Sequence, residues 1–170
     1  MPAVERPVVV NATPIITLSL VGQLDLLGQL FKQVLIPPAV KKEVLAGKNR
    51  PGASDLRAAE WLLEKPVKDS QKARLLLSDL DRGEAEVLAL ALERNARLVI
   101  LDERLGRWHA RRLELPLTGT LGILLRGKEA KLLESVGPLI RDIRRQGIWL
   151  GDDLVRRALT LAGEVRDAGR

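Results

Sequence analysis

Cysteine and tyrosine are absent from this sequence, histidine occurs once, as His109, and phenylalanine once, as Phe31. Each shortage removes a class of chemistry. Without cysteine there is neither disulfide nor thiolate metal site, which fits a reducing compartment and gives the expectation of a cytoplasmic protein. One histidine leaves little material for a Ser-His-Asp triad or a multi-histidine zinc centre. Set between Trp108 and Ala110 on an expected helix, His109 reads as a surface or half-buried side chain. So few aromatic rings supply poor base-stacking platforms for single strands. Trp61, Trp108 and Trp149 read as packing or protein-interface residues. No apolar run approaches the roughly 20 residues of a spanning helix. The opening MPAVERPVVV has no basic segment leading into a long apolar one, so neither a membrane partner nor export is expected. Asn11-Ala12-Thr13 fits a glycosylation sequon, discounted because it sits at a strand end before Pro14 with no export signal.

What is present describes a globular chain. With 170 residues, 46% of them apolar, it has the material for one domain with a substantial core. The expected domain spans residues 1–170, with a core over about 7–120 and C-terminal helices over about 121–166. Lys and Arg total 28 against 22 Asp and Glu, a formal charge of +6 that favours polyanion partners, with phosphates carrying the contact.

Hydrophobic patterning sets the elements. Val8-Val9-Val10 is continuous and β-branched, as a buried parallel strand is. Apolar helical stretches follow on either side of Gly22. Val34-Leu35-Ile36 is a second strand, and Pro37 and Pro38 suit the first turn of a helix running to about Ala46, with Gly47 at its C′ position. Lys48 to Ser54 reads as a loop, Asp55 to Glu64 as a helix, Pro66-Val67-Lys68 as an edge strand and Gln71 to Leu80 as a short helix. A buried helix runs from Glu84 to near Asn95. Arg97 to Leu101 is a central strand, Glu103 to Leu113 a helix and Leu115-Pro116-Leu117 a short strand. Helices are expected near Leu121–Arg126, Ser135–Gln146 and Asp152–Val165, with fraying around Asp167 to Arg170. Alternation of strand and helix predicts an α/β fold, a Rossmann-like α/β/α sandwich with a mainly parallel sheet and a helical C-terminal segment.

Four positions fall where such a fold turns side chains toward one cleft beyond the strand ends: Asn11, Glu43, Glu84 and Asp102. Carboxylates gathered there repel one another unless a cation neutralises them. Hard oxygen ligands suit Mg²⁺ or Mn²⁺, and phosphodiester hydrolysis is a natural use of such a site. Taken singly, each has a plainer role: a strand-end turn for Asn11, a solvated carboxylate for Glu43, a favourable helix start for Glu84 and Glu86, an N-cap of the next helix for Asp102.

Strand-Asn-x-Thr-Pro-Ile-Ile, Ile36-Pro37-Pro38 with Glu43 downstream, Leu80-Asp81-Arg82-Gly83-Glu84-Ala85-Glu86, Leu101-Asp102-Glu103-Arg104 and Gly119-Thr120-Leu121-Gly122 occur in order. Together they resemble a PIN domain, nearest to a prokaryotic subfamily often found as the toxin-like half of toxin–antitoxin pairs. The resemblance runs from about Val8 through Gly147-Ile148-Trp149-Leu150. It implies a metal-dependent ribonuclease using Mg²⁺ or Mn²⁺, with RNA as substrate, a small antitoxin protein as partner and a homodimer as assembly. It places the four acidic positions at Asn11, Glu43, Glu84 and Asp102, as catalytic groups and metal ligands, with Glu103 in the acidic neighbourhood that follows. It also implies small residues facing the sheet at Ala89 and Ala91. Thr13 and Thr120 are expected to contact phosphate or a metal-bound water, and Arg104, Arg107, Arg111 and Arg112 to form a basic face for an RNA backbone.

The departure is Asn11, a neutral amide where the family has an acid. It weakens cation binding unless another carboxylate compensates, and Glu86 and Glu103 are the candidates. A second reading follows: a catalytically weak PIN-like module that binds RNA or protein without cleaving. A nucleotide-binding α/β domain fares worse, because no glycine-rich phosphate loop follows the first strand.

Overall fold

The computed structural model describes residues 5–165; the end expected to fray, Asp167 to Arg170, lies outside them. Three short strands, β1 (Val8–Val10), β2 (Val34–Ile36) and β4 (Leu98–Ile100), are buried along their whole length. Their uninterrupted aliphatic runs follow from being covered on both faces. With β3 (Leu62–Glu64) and β5 (Leu117–Thr118) at the edges they form a five-stranded sheet in the order β3-β2-β1-β4-β5. Every neighbouring pair is parallel, with Val10 of β1 opposite Ile100 of β4.

Parallel neighbours require crossovers, and crossovers of this kind are right-handed. The chain moves one way from β1 to β3 and the other way from β4 to β5. Helices α1 (Ala12–Leu20), α2 (Asp25–Leu30), α3 (Pro38–Leu45) and α4 (Pro51–Ala58) belong to the first set of crossovers, and α5 (Ser70–Leu76), α6 (Arg82–Glu93) and α7 (Arg104–Arg112) to the second, with α3 meeting α6. The direction reverses between β1 and β4, which opens a crevice at their carboxyl ends. The Asn11 N–H donates to the Ile100 carbonyl at 3.0 Å, so Asn11 sits at that crevice.

Helix α6 is the central helix of its face and packs on β1 and β4. Ala85, Val87, Leu88, Ala89, Leu90 and Ala91 are all fully buried, and each larger aliphatic among them contributes roughly 1.5–3 kcal/mol by leaving water. The small residues at 85, 89 and 91 match close helix–sheet approach. The C-terminal helices are α8 (Thr120–Glu129), which packs on α1 and α2, α9 (Gly137–Arg145) and α10 (Asp152–Leu161), which packs on α8. Glu164 ties them together. Its carboxylate accepts from the Val136 and Gly137 N–H groups at 2.9 Å each and from Lys128 Nζ at 2.9 Å.

Several boundaries differ from the sequence expectation. The segment read as a loop at Lys48–Ser54 contains the start of α4, because Pro51 takes the first helical turn. That helix stops at Ala58, and the edge strand is Leu62–Glu64 rather than Pro66–Lys68. β2 turns into α3 after Ile36, so Lys65, donating to Ile36 O at 2.9 Å, is the last residue with a partner backbone. β5 begins later than expected, since Leu115 N–H is used to close α7 on Ala110 O. Lys48, not Gly47, takes the left-handed conformation after α3, with φ 43°. Asn95 does so after α6, with φ 49°, as its side chain permits. Trp61 packs as expected: a Cβ on Gly28 of α2 would lie 2.6 Å from its ring.

Candidate functional site

The carboxyl ends of β1 and β4 bring Asn11, Asp102 and Glu103 to the crevice, α3 brings Glu43 and the start of α6 brings Glu84. Glu103 is the centre of the group. It accepts from Asn11 Nδ2 at 3.2 Å and from the Thr13 hydroxyl, so two side chains at the end of β1 hold it. Its charge reaches Glu43, Glu84 and Asp102 and raises the pKa of each.

Asp102 is held from the other side. Its Oδ1 accepts the Thr120 N–H at 2.8 Å and its Oδ2 accepts the Thr120 hydroxyl at 2.6 Å. The capping role expected for it is real but belongs to α8, not to the helix that follows it. Burial raises the Asp102 pKa; the two Thr120 bonds lower it, Glu103 raises it and Arg107 lowers it, and the net shift is upward. Arg107 donates to Leu101 O at 2.8 Å. Burial, and then the neighbouring Arg111, hold its own pKa below the usual value against the pull of Asp102. Gly119 makes this junction possible, because a Cβ there would come within 2.6 Å of Asp102 Oδ1 and 3.2 Å of Arg107 Nη1.

Asp81 is a member of the cluster that sequence reasoning missed. It caps α6 in a capping box: Asp81 Oδ1 accepts the Glu84 N–H at 2.8 Å, and Glu84 Oε2 accepts the Asp81 N–H at 3.3 Å. A Cβ on Gly83 would lie 3.2 Å from Glu43 Oε2, 3.4 Å from Asp81 Oδ1 and 3.6 Å from Asn11 Oδ1. Three oxygens thus gather around the start of α6. The signal was available, since Asp-x-x-Glu before an apolar run is a capping box. Burial, and then Asp81 and Glu103, raise the Glu43 pKa, although Glu43 is exposed overall.

Glu84 is 7% exposed and its Oε1 has no hydrogen-bond partner. Burial, and then Asp81, push its pKa up to about 7. Because the folded value lies above the unfolded value of 4.5, Glu84 contributes stability that is fully present below pH 4.5 and lost as pH rises through about 7. Thermal melts in EDTA are therefore expected to fall across that window, and Glu84→Gln to flatten the fall. A melting temperature independent of pH over this range in the original chain would contradict the arrangement.

Gly106 of α7 makes room for the same carboxylate. A Cβ there would meet Leu101 Cδ2 at 2.8 Å and Glu84 Oε1 at 2.9 Å. Helix propensity alone makes Gly106→Ala stabilising by about 1 kcal/mol. Because Leu101 and Glu84 are buried and cannot step aside, the expected result is net destabilisation of about 1–2 kcal/mol, measured by urea unfolding.

The remaining expected residues divide. Glu86 lies apart from this group in its bonds, accepting the Ala39 N–H at 3.0 Å and pairing with Arg82 at 3.9 Å. It fixes α3 against α6, as its helical position dictates. Arg104 is exposed, and Arg112 stacks over Trp108, 4.8 Å from the ring centroid. His109 is half-buried and pairs with Asp79 at 2.9 Å. Trp149 is not a packing residue, being 86% exposed.

The donor set is one of hard oxygens, which suits Mg²⁺ or Mn²⁺. Two of these oxygens, Asn11 Oδ1 and Glu84 Oε1, are buried without a partner. Raised carboxylate pKa values at Glu43, Glu84 and Asp102 mark a region short of positive charge. Among the described residues no three of His, Asp and Glu stand close enough to hold an ion alone. The Asn11 amide oxygen is a further oxygen at the same crevice, 3.6 Å from where a Gly83 Cβ would be. A family model described as a PIN domain matches residues 7–164. No curated protein matches the chain.

Proposed function

This chain belongs to the PIN-domain family, whose fold is nuclease-like, and on that premise we propose that it is a metal-dependent endoribonuclease. The observation that carries the reading is the pair of buried, unpartnered oxygens, Asn11 Oδ1 and Glu84 Oε1, in a crevice of carboxylates. Asn11, Glu43, Glu84 and Asp102 would hold Mg²⁺ or Mn²⁺, with Asp81 and Glu103 supplying the charge that Asn11 lacks. When bound, the cation supplies Lewis acidity to the phosphoryl oxygen and offsets the carboxylate charge. Thr120 orients Asp102, and Thr13 orients Glu103. Arg107, which lines the same pocket as Asp102, would hold a phosphate of the RNA. The family resemblance adds to this proposal a toxin-like role restrained by a small antitoxin and a homodimer, and the absence of cysteine adds a cytoplasmic setting. No helix among the described residues is long and apolar enough to cross a membrane.

Calorimetric titration with Mn²⁺ tests the reading without relying on activity. Saturable binding at pH 7.5 that weakens as pH falls through about 7 is expected, as Glu84 gains its proton. No saturable binding by the original chain or by Asn11→Asp would remove the reading. The non-cleaving alternative keeps one specific observation in its favour: the first position of the set is an amide.

A further inference from the structure

Beside the acidic crevice, a pocket of about 550 Å³ lies between α7, β5, α8 and α10, a size that suits a small ligand such as a nucleotide. Its lining mixes charged, polar and apolar side chains. Asp102 and Thr120, the guanidinium groups of Arg107, Arg111 and Arg157, and the Trp149 indole all line it. Asp102 is the only acidic residue in the lining.

Trp149 lies beside its near neighbour Gly151. Its six-membered ring lies against Gly151, with Cη2 3.4 Å from where a Cβ of that residue would be. Even so, the side chain is 86% exposed, which leaves ring surface facing outward. An exposed indole lining the same pocket as three guanidinium groups matches an unpaired base followed by its phosphates.

We propose that Trp149 is a base-stacking subsite for single-stranded RNA, with Arg111 and Arg157 holding the flanking phosphates and leading the strand to Asp102. The proposal rests on RNA being the substrate, and it names a residue that gives the site a preference for unpaired over duplex RNA. A protein could also cover exposed Trp149, Leu154 and Leu161. The arginines and the net charge of +6 favour a polyanion.

The test is fluorescence anisotropy of the full chain with a labelled single-stranded RNA of mixed sequence, in EDTA so that nothing is cut. Trp149→Ala is expected to weaken binding roughly 5- to 100-fold, and Trp149→Phe to retain most of it. Arg111→Ala with Arg157→Ala is expected to reduce the salt dependence of binding. Duplex RNA of the same sequence is expected to be indifferent to Trp149. Unchanged single-strand affinity in Trp149→Ala overturns the proposal, and a simultaneous change in sedimentation would identify the surface as a protein interface instead. No RNA binding by the original chain at low salt also overturns it. RNA cleavage with binding indifferent to Trp149 would sink this subsite alone. Trp149-dependent binding without cleavage in Mn²⁺ would sink the nuclease reading alone.

Discussion

In EDTA at pH 7.5, Asn11→Asp is expected to be the less stable protein; in Mn²⁺ it is expected to be the better nuclease. Asn11 is 3% exposed and its amide donates to Glu103 at 3.2 Å. An aspartate in its place loses that donor and sets a buried carboxylate against the half-buried Glu103. The uncompensated charge is expected to cost about 3 kcal/mol without a cation. With Mn²⁺ present the same charge becomes a ligand. Cation affinity and RNA cleavage are then expected to rise together by roughly 10- to 100-fold. Thermal melts in EDTA and in Mn²⁺ read the first effect, and cleavage rates at matched Mn²⁺ read the second. A variant equally stable in both buffers, and no faster, would show that position 11 faces no cation.

The opposite change is expected at Asp102. Asp102→Asn is nearly isosteric, and its carbonyl oxygen preserves the bond from Thr120 N–H that caps α8. The fold should survive, with melting in EDTA little changed. Cleavage is expected to fall by about 100-fold or more, because the charge removed is the one at the shared boundary of the acidic crevice and the basic pocket. Loss of activity together with a collapse in stability would assign Asp102 to the fold rather than to the chemistry.

Both predictions rest on residues whose place was legible in the sequence to different degrees. Asn11 and Asp102 follow buried aliphatic strands, and strand ends in a parallel sheet point at the crevice whatever the details of packing. Glu43 and Glu84 were legible through the prolines before α3 and the apolar period of α6. Asp81 was not, because its capping role satisfied the local pattern and gave no reason to look further. Its carboxylate joins Glu43 only through the tertiary meeting of α3 and α6. Glu86 was misleading for the same reason: two residues after Glu84 on a helix is a different face, and there it bonds to Ala39. The edge strand was missed because Leu62–Glu64 gains its identity from β2, with Leu35 opposite Leu63, and not from any alternation of its own. Trp149 was legible only as a packing or interface residue, since a tryptophan between Ile148 and Leu150 looks the same in a core and on a surface.

The central claim is that this crevice cuts RNA with the help of a divalent cation. Cleavage of a mixed RNA pool in Mn²⁺ tests it most directly, with the original chain, Asn11→Asp and Asp102→Asn purified alike. The account predicts fragments from Asn11→Asp and fewer from the original chain, both abolished by EDTA, with essentially none from Asp102→Asn. Equal fragments from all three, or none from either the original chain or Asn11→Asp, would contradict it.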